Sequence, residues 1–265
     1  MGERVKQKAF FAVQSLGQRE EQEDSYGICY EFSEDANHSQ NCFILADGMG
    51  GHSGGSVASQ AAIDSVKLVV DGCTFDDRTL IDSLTTANAS IAECVRVNSD
   101  LEGMGTTLVV LIIVNYRAFW VSVGDSPLLC LDKNHKLHRL NEDHSMKPVL
   151  EQLVETGVLT KEHPDYVKKA NQLRSALTGD NITLYDLDSD GVSLAECKYL
   201  VLSSDGLNTL PLDEVRNIMI DHAENGPQEI ACQLINAIDK KCSPKQDNTT
   251  LIVIDPLLYQ QKSKK

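Results

Sequence analysis

Four aspartates share one local setting in this 265-residue sequence, each beside an apolar run that predicts a β-strand. Asp47 follows FILA, Asp125 follows WVSVG, Asp205 follows LVLSS, and Asp247 precedes NTTLIVI. A strand gives a carboxylate a rigid mount, and the Gly or Ser after three of the four favours a tight turn beside it. Several converging carboxylates repel one another unless cations neutralise them. The pattern therefore predicts an all-oxygen site for hard divalent ions such as Mg²⁺ or Mn²⁺.

Motifs for other chemistries are missing or incomplete. The stretch GMGGHSGG matches neither a P-loop nor a dinucleotide-binding loop, and no Gly-x-Ser-x-Gly or Cys-x5-Arg motif supplies a covalent nucleophile. The stretch DLDSDG (186–191) begins like a calcium loop, but Cys197 stands where that loop requires Glu, so we expect an acidic turn. The histidines lack zinc spacing. Water activated by metal ions is the chemistry that remains.

The carboxylates need strands to position them, and six apolar runs predict such strands: KAFFAVQSLG, NCFILAD, MGTTLVVLIIV, AFWVSVGDSPLLCL, KYLVLSSDG and NTTLIVIDP. The runs near 104–114 and 117–131 are separated by a short turn at Asn115 and Tyr116, which favours an antiparallel hairpin. Because the helices do not alternate regularly with the strands, we expect an α+β fold rather than a doubly wound sheet. Helical periodicity begins near Ser53, Asp77, Met146, Leu212 and Gln228.

Composition narrows the class of protein. The formal net charge of −15 argues against nucleic-acid or anionic-membrane partners. The longest apolar run, Leu108 to Val114, is too short to span a membrane, and the charged start MGERVKQK lacks a secretion signal, so we expect a cytoplasmic protein. Eight scattered cysteines with no CxxC pair predict free, mostly buried thiols. With no repeat or linker, one domain is expected over residues 1–258, followed by an unstructured tail at 259–265.

Eight short motifs follow one another along nearly the whole chain: REEQED (19–24), DGMGG (47–51), GMGTT (103–107), VGDSP (123–127), DHS (143–145), LRSALTGD (173–180), SSDGL (203–207) and QDNTT (246–250). In this order they resemble the metal-dependent protein serine/threonine phosphatases of the PPM, or type 2C, class, in its compact bacterial form. The resemblance implies a four-layer α/β/β/α sandwich of two antiparallel sheets flanked by helices, with metal ions at one edge. It also implies two Mn²⁺ or Mg²⁺ ions and a bridging water that attacks phosphorus in line.

The resemblance also assigns the first metal ligands. By its match, Asp47 bridges the two ions, and the backbone carbonyl of Gly48 ligates one of them, where a side chain would obstruct the approach. Asp205 and Asp247 complete the shell of the first ion. The catalytic residues implied by the resemblance are Asp47, Asp205 and Arg19.

The acidic pair Glu23 and Asp24 serves the second ion by the same match, directly or through water, and which of the two coordinates stays open. Arg19 matches the arginine that grips the substrate phosphate, because its planar fork suits paired hydrogen bonds. The alternative for Arg19 is a surface ion pair with a neighbouring glutamate. Asn248 is expected to orient its neighbours by hydrogen bonds rather than to touch metal.

Asp125 matches a residue that, in bacterial relatives, helps to hold a third and weaker ion together with the residue matching Asp205. Family members often carry another Asp four positions after that residue, and here the position is Thr209. Losing a charged ligand should weaken a third site, so we expect occupancy only at high metal concentration. An unchanged third-ion affinity in a Thr209→Asp variant would count against this hypothesis.

The segment from about Lys147 to Asn171 matches the variable flap beside the catalytic face. Its first part, MKPVLEQLVETGVL, predicts a short amphipathic helix, and loops beside a shallow metal site are natural selectors of substrate. The general acid stays open. Met49 stands where animal-type members carry a histidine, His52 lies nearby at the expected start of a helix, and a metal-bound water is the alternative.

The expected function is that of a cytoplasmic, monomeric phosphatase acting on phosphoserine and phosphothreonine proteins, the substrates of a cognate kinase. Two alternatives stay open. A pseudophosphatase would bind phosphorylated partners without turnover, but the intact set Asp47, Asp205 and Asp247 argues against it. A regulatory phosphatase of the sporulation or stress-response type typically lacks the DHS and LRSALTG segments that this chain contains.

Overall fold

The chain folds as two antiparallel β-sheets stacked face to face, with α-helices on both outer faces. A computed structural model describes residues 9–30, 40–50, 54–71, 74–76 and 78–257. The strands are β1 Phe10–Ser15, β2 Asp24–Tyr30, β3 Asn41–Met49, β4 Gly105–Thr106, β5 Leu108–Val114, β6 Arg117–Val123, β7 Leu128–Asp132, β8 Leu137–Arg139, β9 Asp186–Ser193, β10 Cys197–Ser203 and β11 Thr249–Ile254. The α-helices are α1 Gly54–Val70, α2 Thr79–Val97, α3 Lys147–Glu155, α4 Pro164–Lys169, α5 Leu212–Asp221 and α6 Pro227–Lys240.

Alternation along the strands separates three apolar layers. One sheet has the order β2-β3-β5-β6-β9, with β4 paired to β3, and the other has the order β1-β11-β10-β7-β8. In β3, Ile44 and Ala46 face the layer formed with α1 and α2, whereas Phe43 and Leu45 face the layer between the sheets. The outer face of the second sheet packs against α5 and α6. These layers confirm the expected α/β/β/α sandwich and the α+β class.

The strands β5 and β6 form the predicted hairpin. Val114 pairs with Arg117, and the two residues between them, Asn115 and Tyr116, have φ values of 51° and 60°. Positive φ at both central positions is typical of a type I′ turn, whose twist matches that of the flanking strands. The turn therefore lies where the sequence predicts it, which confirms the hairpin.

The single strand predicted from the run around 117–131 is wrong, because the run forms two strands in different sheets. β6 ends at Val123, and β7 begins at Leu128 in the other sheet. Gly124 starts the crossing with a φ of 99°, and a Cβ there would lie 2.5 Å from the Thr107 side chain. Glycine is therefore needed at this point, and the crossing carries Asp125 out of both sheets.

The acidic turn predicted at DLDSDG is also wrong, because this stretch begins the edge strand β9, which pairs with β6. Asp186 Oδ2 accepts a hydrogen bond from Trp120 Nε1 at 2.8 Å, which helps to hold the strand in place. An edge strand tolerates acidic side chains that a central strand would not. The strand β2 and the short helix α4 were likewise not predicted.

The expectations about helices, cysteines and membrane spans have mixed outcomes. The helices α1, α2, α3, α5 and α6 begin within two residues of the predicted starts. The seven described cysteines are free, but only Cys42 and Cys197 are fully buried and Cys242 is exposed, so the prediction of mostly buried thiols is wrong. Within the described ranges, no helix has the length and apolar character to span a membrane. The expected tail at 259–265 and the candidate acid His52 lie outside the described residues.

Candidate metal centre

A cavity of about 500 Å³ draws its walls from both sheets. Five carboxylates and one guanidinium line it, so that all four strand-end aspartates of the sequence pattern meet in one place. On the side of β3, the lining also includes Gly48, Met49, Gly50 and Thr107. The charged lining residues are Arg19, Glu23, Asp47, Asp125, Asp205 and Asp247.

Backbone hydrogen bonds fix the carboxylates around the cavity. Asp47 lies in β3, where its N–H donates to Thr107 Oγ1 at 3.0 Å and its carbonyl accepts from the Thr107 N–H at 2.9 Å. Asp205 begins a 3₁₀ turn after β10, and its N–H donates to Asp47 Oδ2 at 3.4 Å. Asp247 precedes β11, and its Oδ1 accepts from the Asn248 N–H at 2.9 Å. Carboxylates carried by two different sheets are thus held beside one another.

The cavity concentrates negative charge away from water. Burial, followed by the charges of Asp24 and Asp205, raises the pKa of Asp47 well above its usual range. Burial, followed by the charges of Asp125 and Asp247, raises the pKa of Asp205 to about 7. Burial also raises the pKa of Asp125 to about 6. A cation placed among these groups would favour their ionised forms and so lower these pKa values.

Arg19 is the one basic side chain among the described residues that line the cavity. Its Nη2 donates to Asp247 Oδ2 at 2.5 Å, and this hydrogen bond raises the pKa of Arg19 above its usual value. The ion pair therefore forms inside the cavity and not with a neighbouring glutamate. Half of the Arg19 side chain is exposed (50%), so the guanidinium can also reach a ligand that enters from solvent.

The donor set of the cavity suits Mn²⁺ or Mg²⁺, both of which prefer oxygen ligands. Among the described residues, no three acidic, histidine or cysteine side chains already converge on one point as a closed metal shell. The carboxylates instead face the cavity from separate walls, and one of them, Asp247, is engaged by Arg19. Because several buried acids share a single arginine, the residues present fit divalent cations.

The structure separates the acidic pair that the sequence left unassigned. Glu23 lines the cavity, and its N–H donates to Asn248 Oδ1 at 2.8 Å. Asp24 points into the protein with 4% of its surface exposed, where its Oδ2 accepts hydrogen bonds from Ser204 Oγ at 2.7 Å and Thr250 Oγ1 at 2.8 Å. Burial raises the pKa of Asp24 to about 6. Of the pair, Glu23 is the residue that can reach an ion in the cavity.

Main-chain packing around Gly48 leaves no room for a side chain at this position. A Cβ at this position would overlap the carbonyl oxygen of Gly55 and would lie 2.5 Å from the carbonyl oxygen of Glu23. Gly55 likewise has no room for a side chain, because a Cβ there would overlap Glu23 Oε1. The backbones of β3, the start of α1 and the residue before β2 therefore touch at this point, and glycine is what permits the contact.

A family model described as protein phosphatase 2C matches residues 20–237. The chain belongs to the protein phosphatase 2C family. The serine/threonine phosphatase stp of Listeria monocytogenes is 34% identical over 187 residues, which cover 68% of this chain and 72% of the relative.

Solved structures agree with the family and the fold. The Mycobacterium tuberculosis serine/threonine phosphatase PstP/Ppp superposes with a TM-score of 0.73 at 27% identity, covering 93% of this chain and 97% of the other. The catalytic domain of PstP in complex with 2 manganese ions superposes with a TM-score of 0.71 at 27% identity, covering 93% and 96%. This chain is accordingly a protein phosphatase of a metal-dependent family, with the sandwich that the sequence implied.

The candidate third site of this phosphatase is built around Asp125. Arg139 Nη2 donates to the backbone carbonyl of Asp125 at 2.9 Å, and Arg139 Nη1 lies 3.1 Å from Asp143 Oδ2. Thr209 is not among the residues that line the cavity, and its Oγ1 donates to Gln246 Oε1 at 2.7 Å. The weakness of the third site thus stays a prediction, to which the structure adds that Thr209 is engaged elsewhere.

Sequence reasoning gave no role to several residues that hold the site of this phosphatase together. Thr107 fixes Asp47, and the hydroxyls of Ser204 and Thr250 hold Asp24. Each lies in one of the quoted motifs, and the repeated hydroxyl residues beside the acids were the available signal. Residues 171–173, at the end of the flap that contains α3 and α4, also line the cavity.

Proposed function

We propose that this phosphatase removes phosphate from phosphoserine and phosphothreonine residues of proteins, using two Mn²⁺ or Mg²⁺ ions. The convergence of five carboxylates and Arg19 in one cavity carries the proposal. Asp47 would bridge the two ions, and Asp205 and Asp247 would complete the first shell. Glu23 and the Gly48 carbonyl would serve the second ion, with Asp24 as a buried support behind Glu23.

The chemistry of the site follows from its charges. Bound divalent ions would lower the pKa of a water and offset the negative charge of the phosphoryl group. Arg19 would exchange Asp247 for substrate phosphate oxygens, to which its planar fork can donate two parallel hydrogen bonds. Asn248 accepts from the Glu23 N–H and donates from Nδ2 to the Leu16 carbonyl at 2.9 Å, so it would keep Glu23 oriented without touching metal.

The partners follow from the same reasoning. The substrates would be phosphoproteins made by a cognate serine/threonine kinase, because the site handles a phosphomonoester and the relatives carry the names of serine/threonine phosphatases. The net charge of −15 argues against nucleic-acid or anionic-membrane partners. We further propose that the protein is a cytoplasmic monomer and that residues 1–258 form one catalytic domain.

The two alternative functions gain no observation in their favour. A binding-only pseudophosphatase would be expected to lack a ligand, whereas Asp47, Asp205 and Asp247 all line the cavity. A regulatory phosphatase of the sporulation or stress-response type typically lacks the DHS and LRSALTG segments, whereas this chain carries both, at 143–145 and 173–179.

The proposal is tested by phosphate release from a phosphothreonine peptide. Chelator-stripped protein is titrated with Mn²⁺ and then Mg²⁺, with a phosphotyrosine peptide as the control substrate. We expect metal-dependent turnover that favours phosphothreonine. Asp47→Asn should abolish it, and Asp239→Asn, an exposed residue on α6, should not. Metal-independent turnover, or equal loss in both variants, would contradict the proposal.

A further inference from the structure

Two further cavities lie beside the metal cavity. Met49 and Leu173 line both the metal cavity and a second cavity of about 280 Å³. Asn181 lines both this second cavity and a third, of about 490 Å³, which lies against α2. Because neighbouring cavities share wall residues, the three follow one another from the metal cavity to α2, and together they are called the depression.

A single stretch of chain, residues 171–185, borders all three cavities. Leu177 pairs with Thr106 through two backbone hydrogen bonds of 2.9 and 3.0 Å. Asn88 of α2 holds the same stretch from the other side, with its Oδ1 2.9 Å from the Gly179 N–H and its Nδ2 2.7 Å from the Asp180 carbonyl. This wall of the depression is therefore fixed in place at two points before any ligand arrives.

Gly179 allows the stretch to lie directly on α2. Its φ is 88°, and a Cβ there would lie 2.8 Å from Ala92 Cα. A larger residue would push the wall away from the helix and open the third cavity.

The chemistry of the lining changes along the depression. The metal cavity is acidic, and the second cavity combines small polar residues such as Ser175 and Thr178 with apolar residues and Arg174. The third cavity has an apolar floor and sides, with buried Leu84, half-buried Ile182 and the ring of Tyr185, which is 43% exposed. Of its charged residues, Glu93 and Arg96 pair with each other, and the exposed Asp180 forms no ion pair among the described residues. The apolar floor of the third cavity suits an apolar side chain.

The dimensions suit an extended polypeptide. The third cavity reaches from Ile81 to Arg96, which lie 15 positions apart on α2. At 1.5 Å per residue this is roughly 22 Å of helix, the length of about seven residues of extended chain. A free phosphate or a single phosphoamino acid would fill only the first cavity.

We propose that this depression binds the polypeptide that flanks the phosphorylated residue, and that the third cavity selects an aliphatic or aromatic side chain on that flank. The inference rests on the proposed function, because it takes the phosphate to lie in the metal cavity. The succession of adjacent cavities from the metal cavity to α2 argues for the substrate itself as the occupant, rather than for an unrelated partner. The phosphatase would thus prefer phosphoproteins with an apolar residue several positions from the phosphothreonine.

The test compares phosphothreonine peptides with the metal-loaded enzyme. One peptide has about five residues, and two have about fifteen, extended with Gly and Ser on the amino or the carboxyl side. A further set places a single Leu at each successive position of the longer peptides. We expect one flank and a narrow group of Leu positions to raise kcat/KM about tenfold, the effect of burying one apolar side chain.

Two substitutions on exposed positions of α2 supply a matched pair. Ala89→Arg places a charged side chain in the third cavity, and Thr86→Arg places the same side chain on the helix outside it. Ala89→Arg should remove most of the advantage of the best Leu peptide over the short peptide, and Thr86→Arg should keep it. Melting temperatures and the turnover of p-nitrophenyl phosphate check that both variants are folded.

Each outcome decides a different proposal. The proposed binding depression is overturned if no Leu position on either flank raises kcat/KM, or if both arginine variants lose the preference equally. Turnover of p-nitrophenyl phosphate in the same experiment would still support the phosphatase function. If the metal-loaded wild-type enzyme hydrolyses neither p-nitrophenyl phosphate nor any peptide, the proposed function itself fails. A Leu preference that Ala89→Arg removes and Thr86→Arg retains would establish the third cavity as a specificity site.

Discussion

Removal of divalent ions should make this phosphatase lose stability as the pH rises from 5 to 8. With no ion bound, the pKa of Asp24 and of Asp125 is raised to about 6, and that of Asp205 to about 7, from a usual value of 3.8. Burial is the largest cause in all three. The folded protein therefore keeps protons that the unfolded chain has already released above about pH 4. Stability is therefore greatest below about pH 4, declines as the pH rises to the folded-state pKa values, and levels off above them.

The size of the effect follows from the same pKa values. Between pH 5 and 8, linkage gives a loss of about 1 kcal/mol for a carboxyl with a folded-state pKa of 6, and about 3 kcal/mol for one with a pKa of 7. Asp205 alone should then lower the melting temperature by roughly 6–12 °C, since 1 kcal/mol corresponds to about 2–4 °C in a protein of this size.

Bound metal should reverse this trend, because ligation requires ionised carboxylates. The measurement is thermal unfolding by calorimetry across this pH range at constant ionic strength, once with chelator and once with Mn²⁺. The stabilisation by Mn²⁺ should grow with pH. Asp205→Asn should flatten the metal-free profile, and Asp239→Asn should leave its slope unchanged.

Two results would refute the reasoning. Metal-free protein that becomes more stable between pH 5 and 8 would mean that the cavity carboxylates are not protonated in the folded state. A wild-type slope in Asp205→Asn would mean that the pH dependence arises elsewhere in the chain.

Three substitutions test single residues of the site. Asp47→Asn should lower kcat at least about a hundredfold, because mutating even the residues that orient metal ligands costs about 10–100-fold in metal affinity or activity. The circular dichroism spectrum should stay unchanged, and retained turnover would exclude Asp47 as the bridging ligand. Arg19→Lys keeps the charge but loses the planar fork, so KM for phosphopeptides should rise about tenfold with a smaller change in kcat; an unaltered KM would remove Arg19 from phosphate binding. Gly48→Ala should lower the melting temperature by several degrees and weaken Mn²⁺ binding in titration calorimetry, because its Cβ meets backbone atoms. Gly103→Ala is the control, since it meets no atom within 4 Å and carries only the cost of a φ of 84°, so it should leave Mn²⁺ affinity intact.

The parts of the fold that sequence predicted were those with a local cause. The β5–β6 hairpin follows from two apolar runs around Asn115 and Tyr116, whose backbones adopt the turn that antiparallel strands favour. The sheet change at Gly124 has no comparable signal, because the runs before and after it are equally apolar. Which sheet a strand joins depends on partners distant in sequence, and β9 was missed because its acidic residues are accepted only at a sheet edge.

The candidate site shows the same division. The strand-end aspartates were visible because each follows or precedes a strong apolar run. The choice between Glu23 and Asp24 was not, because it depends on contacts with residues distant in the sequence. Asp24 pairs with Asp47, so both side chains face the other sheet, where Ser204 and Thr250 engage the Asp24 carboxylate. Glu23, the residue before the strand, is left to line the cavity.

The glycine after Asp47 needs a second explanation beside the one that sequence offered. Resemblance explained Gly48 by access of an ion to its carbonyl, whereas the structure adds a contact of three backbones in which Glu23, Gly48 and Gly55 leave no room for a Cβ. The position of Glu23 relative to Asp47 is thus set by main-chain packing, which cannot relax by rotating a side chain. A substitution at Gly48 should therefore disturb the ion served by Glu23 more than the ion served by Asp205 and Asp247, which approach from the other sheet. Titration of Gly48→Ala with Mn²⁺ tests this by measuring the affinity of each of the two sites. An equal loss of affinity at both sites would mean that the backbone contact does not position Glu23.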